Sequence, residues 1–277
     1  MMAQQSPMYQ QIAAELRGEI EQAANEPDND DLELKPGDQL PTEMQLRERY
    51  GASRNTIRDA IKLLIDQRLV ETRPGQGTYV LRKIDPFVTL LSPDPETGVG
   101  GGGEEGATYL SMVNEQHRKA NVTTPKVEVL SCPTEVALRL RIKPRDQVIS
   151  RQQQRYIDNT LWSIQTSFYP MEWVTRGATR LLMAENIDEG SVKYLADALG
   201  LTQVGYRDWV TARVPVDNEP ALFGLPHNAA MFRIFRTAFT ADEIATRVTV
   251  TVYPADRSQL VYNFGDVPDL SYEQDPR

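Results

Sequence analysis

The stretch from Ser53 to Arg82 constrains the fold more than any other part of the chain. Ser53 is placed to cap a helix. With side chains set at about 100° per residue from Arg54, Asn55, Arg58 and Lys62 share one arc, and Ile57, Ala60, Ile61 and Leu64 lie on the opposite one. One face can pack, and the other is left to touch something outside the chain. Upstream, Thr42 and Gln45 have the spacing of a capping box and open a helix that runs to Tyr50, where Gly51 is placed to stop it. Downstream, Leu69 to Arg73 and Thr78 to Arg82 read as two short strands around Pro74-Gly75-Gln76-Gly77, a hairpin by its turn residues. Glycines at its tip allow the backbone to approach a phosphate or the minor groove. Two helices joined by a tight turn, the second basic and amide-bearing, then a wing of this kind, set a recognition helix into the major groove. Tyr9, Ile12, Ala13, Leu16 and Ile20 follow helical spacing, so an amphipathic helix of three to four turns is expected ahead of them.

The charge distribution agrees with that reading, although the total at first opposes it. Net charge is −9, and phosphate binding needs a positive surface. Between residues 15 and 39 nine acids face two bases, whereas between 40 and 83 nine bases face five acids. The positive patch is local and coincides with the helix-turn-helix and wing. At 277 residues, 40% hydrophobic and 25% charged, the chain has room for two ordinary domains with real cores. No basic-then-apolar leader and no apolar run of spanning length is seen, so a soluble cytoplasmic protein without membrane contact is expected.

From about Lys83 to Ala107 the composition changes to Pro86, Pro93, Pro95 and Gly98-Val99-Gly100-Gly101-Gly102-Gly103, which reads as a flexible connector. No GKS or GKT follows the glycines, so a phosphate cradle is not indicated. Beyond it, strand patterns run over Lys126 to Leu130, Val148 to Ile157, Leu161 to Tyr169, Gln203 to Val214, Ala230 to Phe239 and Ile244 to Tyr253. Asp158-Asn159-Thr160 reads as a hairpin turn. Ser191 is expected to cap a helix that stops at Gly200, and Asp217 another through Phe223. The fold class is α+β: an N-terminal winged helix-turn-helix at 1–83, a connector at 84–107, a mostly antiparallel sheet domain at 108–264 and a tail at 265–277.

Three blocks carry a family resemblance: Pro36-Gly37-Asp38-Gln39-Leu40-Pro41-Thr42-Glu43, Tyr50-Gly51-Ala52-Ser53-Arg54-Asn55-Thr56-Ile57-Arg58 and Pro74-Gly75-Gln76-Gly77-Thr78-Tyr79-Val80. In that order they resemble the winged helix of the GntR family. The resemblance implies DNA contacts by Arg54, Thr56 and Arg58, with Gly75 at the wing tip. Asn55 stands at a variable contact position where an amide can pair with adenine. Thr42, Lys62 and Gln76 complete the expected DNA-facing set. Two departures stand out: the acidic stretch Glu21 to Glu33 lengthens the first connection, and Met44 occupies a position where many members carry arginine.

The remainder is similar in layout to the UTRA effector domain of the HutC branch, whose fold is related to chorismate lyase. That similarity rests on Arg151, on Thr166-Ser167-Phe168-Tyr169-Pro170, on Ser191-Val192-Lys193-Tyr194-Leu195 and on Tyr253-Pro254-Ala255-Asp256-Arg257. The family often carries an arginine-x-arginine pair here; this chain has Arg151 but Gln153. Strand alternation puts Arg151, Gln153 and Arg155 on one face, and Ser167 with Tyr169 on one face of the partner strand. The expected effector set is Arg151, Gln153, Ser167, Tyr169, Tyr194 and Arg247, able to hold a carboxylate or phosphate.

Two histidines, His117 and His227, and one cysteine, Cys132, show neither nucleophile-elbow nor metal-ligand spacing. No catalytic residue, metal or cofactor is therefore expected. The sequence points to a transcription regulator, usually a repressor, acting as a homodimer on a pseudo-palindromic double-stranded operator under control of a small-molecule effector. The alternatives are a DNA-binding dimer whose C-terminal domain senses nothing, and a lyase-like enzyme.

Overall fold

The computed structural model describes residues 6–26, 29, 31–81, 86–91, 113–114, 116–225 and 228–263. The chain divides into two compact units, Met1–Asp85 and Pro86–Arg277.

The first unit is built from α1 (Met8–Asn25), α2 (Glu43–Tyr50) and α3 (Arg54–Asp66), followed by the hairpin β1 (Val70–Arg73) and β2 (Gly77–Val80). The helical spacing of α1 buries Ile12, Ala13, Leu16 and Ile20 against Leu46 of α2 and Ile57, Ala60 and Leu64 of α3. Each fully buried leucine or isoleucine in this cluster contributes about 1.5–3 kcal/mol. The helix continues through Asn25, so the first part of the acidic stretch is helical rather than a loop. Both anticipated caps form. Thr42 and Gln45 make a reciprocal capping box, and Ser53 accepts the Thr56 N–H at 3.2 Å. Gly51 ends α2 with φ +59, a left-handed conformation that costs a residue with a Cβ.

The segment Pro36-Gly37-Asp38-Gln39-Leu40 works as a third strand edge for the wing. The Gly37 N–H donates to the Val80 carbonyl at 2.9 Å, Val80 N–H to Asp38 at 2.8 Å and Leu40 N–H to Thr78 at 2.7 Å. These bonds give the hairpin a partner, without which two short strands are marginal in water.

In the second unit β3 (Phe87–Leu90) pairs in parallel with β11 (Ser258–Val261). This corrects the connector assigned to 84–107: residues 87–90 belong to a strand, and the unit boundary lies between Asp85 and Pro86. The glycine run lies outside the described residues. A seven-stranded antiparallel sheet follows, made of β4 (Ala120–Val122), β5 (Lys126–Ser131), β6 (Gln147–Ile157), β7 (Thr160–Pro170), β8 (Gln203–Arg213), β9 (Met231–Thr240) and β10 (Ala245–Pro254). Its order is β6-β7-β10-β9-β8, with β4 and β5 both lying along the outer edge of β6. Asp158 and Asn159 take φ +49 and +64, the paired left-handed values of a tight two-residue hairpin.

One face of this sheet is conventional. Val148, Phe168, Val248 and Phe235 pack on α4 (Thr134–Leu140) through Val136, Ala137 and Leu140, with Cys132 beside them. The other face is covered by α5 (Met171–Thr175), a 3-10 turn at Thr179–Leu182 and α6 (Ser191–Leu199). Two expected caps shift by a residue. Gly190, at φ +80, is the N-cap of α6 and Ser191 its first residue; α7 (Glu219–Phe223) is capped by Asn218, because Asp217 sits at φ +50 within the preceding turn.

Candidate functional site

The first candidate site is a groove of about 810 Å³ between α3, the N-terminus of α2 and the wing. Asn55, Arg58 and Lys62 line it from α3, Thr42 and Glu43 from α2, and Arg73, Pro74 and Gly75 from the wing. The helical period that buries Ile57, Ala60 and Leu64 turns these polar side chains outward. Thr42 also serves as a positioning residue: its hydroxyl bonds Gln45 Oε1 at 2.9 Å, and Gln45 Oε1 accepts the Thr42 N–H at 2.8 Å. Thr56 is turned toward the cap, with its hydroxyl 2.8 Å from that of Ser53. Gln76 stands at the wing tip, where its carbonyl accepts Gln39 Nε2 at 2.9 Å.

Among the polar groove residues that the sequence did not assign to DNA are Gln39, Glu43, Asp59 and Arg73. Gln39 fixes the wing from below, and a Cβ on Gly77 would fall 2.3 Å from its Nε2. Glu43 accepts Arg54 Nε at 3.0 Å and lies 3.8 Å from Arg58 Nε. Arg73 is held by Glu71 at 2.7 Å and stacks 4.3 Å from the Tyr79 ring centroid. Only tertiary pairing brings Gln39, Glu43 and Arg73 to the groove.

The second candidate site is the covered face of the sheet. Cross-strand pairing aligns Arg151, Ser167, Thr249, Arg236 and Asp208 in a single row over β6, β7, β10, β9 and β8. A parallel row carries Gln153, Gln165 and Thr251, and Arg155 pairs with Ser163 beyond it. Arg151, Arg155, Arg236, Gln165, Ser167, Thr249 and Thr251 are all no more than 3% exposed. A polar sheet face usually faces water; this one is roofed.

The 3-10 turn, the loop after it and α6 are tied to the face by polar groups. Arg151 donates to the carbonyls of Leu181, Met183 and Glu185 at 3.0, 2.7 and 2.7 Å, and more weakly to that of Arg180 at 3.4 Å. Gln153 Nε2 donates to the Thr123 carbonyl and to Asn186 Oδ1, both at 3.0 Å. Arg247 donates to Ser191 Oγ at 2.7 Å, and the Arg180 N–H donates to the Tyr194 hydroxyl at 3.1 Å. Ser167 and Thr249 hydroxyls lie 3.1 Å apart. Toward the other end, Arg236 pairs with Asp208 at 2.6 and 2.8 Å, and its Nη2 donates to the Leu91 carbonyl at 3.3 Å. Burial pushes the Tyr253 hydroxyl up from its ordinary value, against the opposing pull of Arg155 and Arg236, so it stays a neutral hydrogen-bonding group.

Of the six residues expected to hold an effector, Arg151, Gln153 and Ser167 therefore share one buried polar face, and Arg247 and Tyr194 meet it at α6. Tyr169 lies among Ile149, Trp173, Ala178 and Leu181 in an apolar cluster. The Arg151 guanidinium is occupied by main-chain carbonyls, so it anchors the roof. Sequence missed Ser163, Gln165, Thr249, Thr251 and Arg236. Their alternation along β7 and β10 is visible, but alternation alone does not reveal a roof. Cys132 is buried, and burial with nearby Asp146 pushes its thiol up to about 11, away from nucleophilic use. Among the described residues no cluster of His, Cys, Asp or Glu could hold a metal ion. None of the described helices is long and apolar enough to cross a membrane.

Comparison with known families fits this division. Residues 8–80 match the model for bacterial regulatory proteins of the gntR family, and residues 115–259 match the UTRA domain. The chain belongs to the GntR family and carries a UTRA domain. MngR of Escherichia coli K12, a mannosyl-D-glycerate transport/metabolism system repressor, is 27% identical over 166 residues, 60% of this GntR-family chain and 59% of MngR. The E. coli K12 regulator PhnF is 38% identical over 79 residues, 28% of each chain. The chain thus spans about three-fifths of MngR and less of PhnF. A crystal structure of another GntR-family regulator superposes with a TM-score of 0.63 at 23% identity, covering 95% of this chain and 99% of that one. PhnF from Mycobacterium smegmatis gives 0.52 at 18% identity, covering 91% and 99%. These likenesses establish the shared fold.

Proposed function

We propose that this protein is a sequence-specific DNA-binding transcription regulator, acting as a repressor, whose operator affinity is set by a small-molecule effector held in the second unit. The observation that carries the DNA-binding half is the groove lined jointly by the polar face of α3 and the wing. Asn55, Arg58 and Lys62 would meet base edges and phosphates there while Gly75 lets the wing backbone approach the duplex. Arg54 sits at the groove's edge through Glu43. A homodimer of the HutC type would present two such heads to a pseudo-palindromic operator in the cytoplasm.

The sensing half is supported by the roofed polar face of the sheet. Its cations, amides and hydroxyls are held by roof carbonyls, by Asp208 and by one another, so a polar effector bearing a carboxylate or phosphate would bind by exchanging with some of those partners. The relative MngR is a mannosyl-D-glycerate transport/metabolism system repressor, and a glycerate carries a carboxylate of this class. A ligand that prefers one arrangement of the roof would shift operator affinity by its differential binding, typically about 1–3 kcal/mol.

The test is binding of the purified protein to the DNA upstream of its own gene, titrated in salt and repeated with a panel of anionic metabolites. Salt-sensitive binding relieved by one compound supports the whole reading. Binding that no member of a broad panel alters favours a non-sensing dimer, and absence of binding to any promoter fragment rejects the assignment.

A further inference from the structure

The groove is lined by two acids, Glu43 and Asp59, where a phosphate backbone is expected to lie, and of the two Glu43 is the one in contact with arginines of α3. Glu43 is the first residue of α2, a position at which the helix dipole favours a carboxylate, and the Thr42–Gln45 capping box fixes that helix end. Its two oxygens face the same atom type on two side chains: Arg54 Nε at 3.0 Å and Arg58 Nε at 3.8 Å. Both arginine side chains are well exposed, at 69% and 63%, against 39% for that of Glu43.

The engaged atoms matter. A guanidinium held through Nε has its side edge occupied and its terminal Nη pair left as an outward fork. That fork is the end of arginine that reads guanine O6 and N7 bidentately. A carboxylate in the same place also repels phosphate oxygens, and it competes with them for the two cations. The wing differs, since Glu71 holds Arg73 through both Nε at 2.8 Å and Nη2 at 2.7 Å, which occupies half of that fork.

We propose that Glu43 is a positioning residue for operator recognition, which aims the Arg54 fork at base edges through the hydrogen bond at Nε, keeps Arg58 beside it by charge alone, and holds down binding to DNA of any other sequence. The overall charge of −9 acts in the same direction. On non-operator DNA the arginines must leave Glu43 to reach phosphates, and its charge remains in the groove uncompensated. On the operator the Arg54 Nε bond persists while its fork engages guanine. This inference rests on the assignment of α3 and the wing to DNA.

The experiment begins with a duplex selected by the wild-type protein from a randomised DNA library, and a scrambled duplex of the same composition. Binding of both is measured over a range of salt for the wild type, E43Q, E43D, R54K and R58A. For E43Q the scrambled duplex is expected to bind about tenfold more tightly, with a salt slope steeper by about one ion released, as for one extra phosphate contact. The selected duplex is expected to bind E43Q several-fold more weakly. E43D keeps the charge and should leave scrambled binding near wild type while still weakening the selected duplex. R54K cannot be gripped at Nε and present a fork, and should lose selectivity as E43Q does.

Parallel weakening of both duplexes by E43Q, with a lowered unfolding temperature, would reduce Glu43 to a structural cap and overturn the proposal. Loss confined to one cytosine-bearing position would also overturn it, because Glu43 would then read a base itself. Failure of the selection to enrich any sequence, or an R58A protein that binds both duplexes as the wild type does, would instead reject the DNA-face assignment beneath it.

Discussion

Replacing Arg151 by alanine is expected to destabilise the second unit by about 3 kcal/mol. The magnitude follows from the three short bonds at 3.0, 2.7 and 2.7 Å to the Leu181, Met183 and Glu185 carbonyls. A buried carbonyl left without a donor costs about 1–3 kcal/mol, so three give a gross loss of roughly 3–9 kcal/mol. Removing a guanidinium that is only 3% exposed returns part of its desolvation cost, several kcal/mol for a buried ion. Water reaching the vacated carbonyls recovers some of the rest, which leaves the net near the lower bound. For a unit of this size each kcal/mol moves the midpoint by about 2–4 °C, so a drop of roughly 6–12 °C is expected. Intrinsic fluorescence is a selective assay, because all three tryptophans, Trp162, Trp173 and Trp209, lie in the second unit. Operator affinity measured well below the transition should change little, while any effector response should be lost with the roof. A midpoint shift under about 2 °C would refute the reasoning and mean that the loop carbonyls do not depend on Arg151.

Other expectations follow from the same geometry. Gly77→Ala places a Cβ 2.3 Å from Gln39 Nε2 at a φ of +121, so it should displace the wing and weaken operator binding about tenfold, read by fluorescence anisotropy. Thr42→Ala removes the capping box and should lower the stability of the first unit by about 0.5–2 kcal/mol in denaturant titration. Cys132 should resist iodoacetamide in the native protein at pH 8 and react once the chain is unfolded, given its burial and a thiol pushed up to about 11. Asp158 is held below its ordinary range by the Lys119 N–H, with further help from Arg118. Its folded value is depressed, so its contribution is present above the unfolded value of about 4 and fades as pH falls toward the folded one. The destabilisation caused by Asp158→Asn should shrink over that window, and an effect independent of pH would contradict the pairing.

The first unit was legible in the sequence because its signals are local. Ser53, Thr42 with Gln45, and Gly51 mark the helix ends through bonds that span at most a few residues. The 3.6-residue period of α3 separates its buried from its exposed face without knowledge of any partner. Turn chemistry likewise announced the wing and the Asp158–Asn159 hairpin. The groove itself was only half visible: Asn55, Arg58 and Lys62 follow from periodicity, but Glu43 joins them only when α2 is set against α3, and Gln39 only when its segment pairs with the wing.

In the second unit the strands were readable from alternation, and the meaning of their polar faces was not. Alternation places Arg151, Gln153 and Arg155 together whether that face meets water or a roof. The roof depends on contacts between residues 29 to 34 positions apart, as in the bonds from Arg151 to the Arg180–Glu185 loop. The row from Arg151 to Asp208 likewise depends on the strand order β6-β7-β10-β9-β8. Strand β3 is the extreme case, since Phe87 pairs with Ser258 across nearly the whole second unit. Its four residues carry too little pattern to declare a strand amid prolines. Local propensity and periodicity decide which segments are helix or strand; which polar groups become buried, and therefore which can hold a ligand or aim an arginine, is decided by packing between segments far apart in the chain.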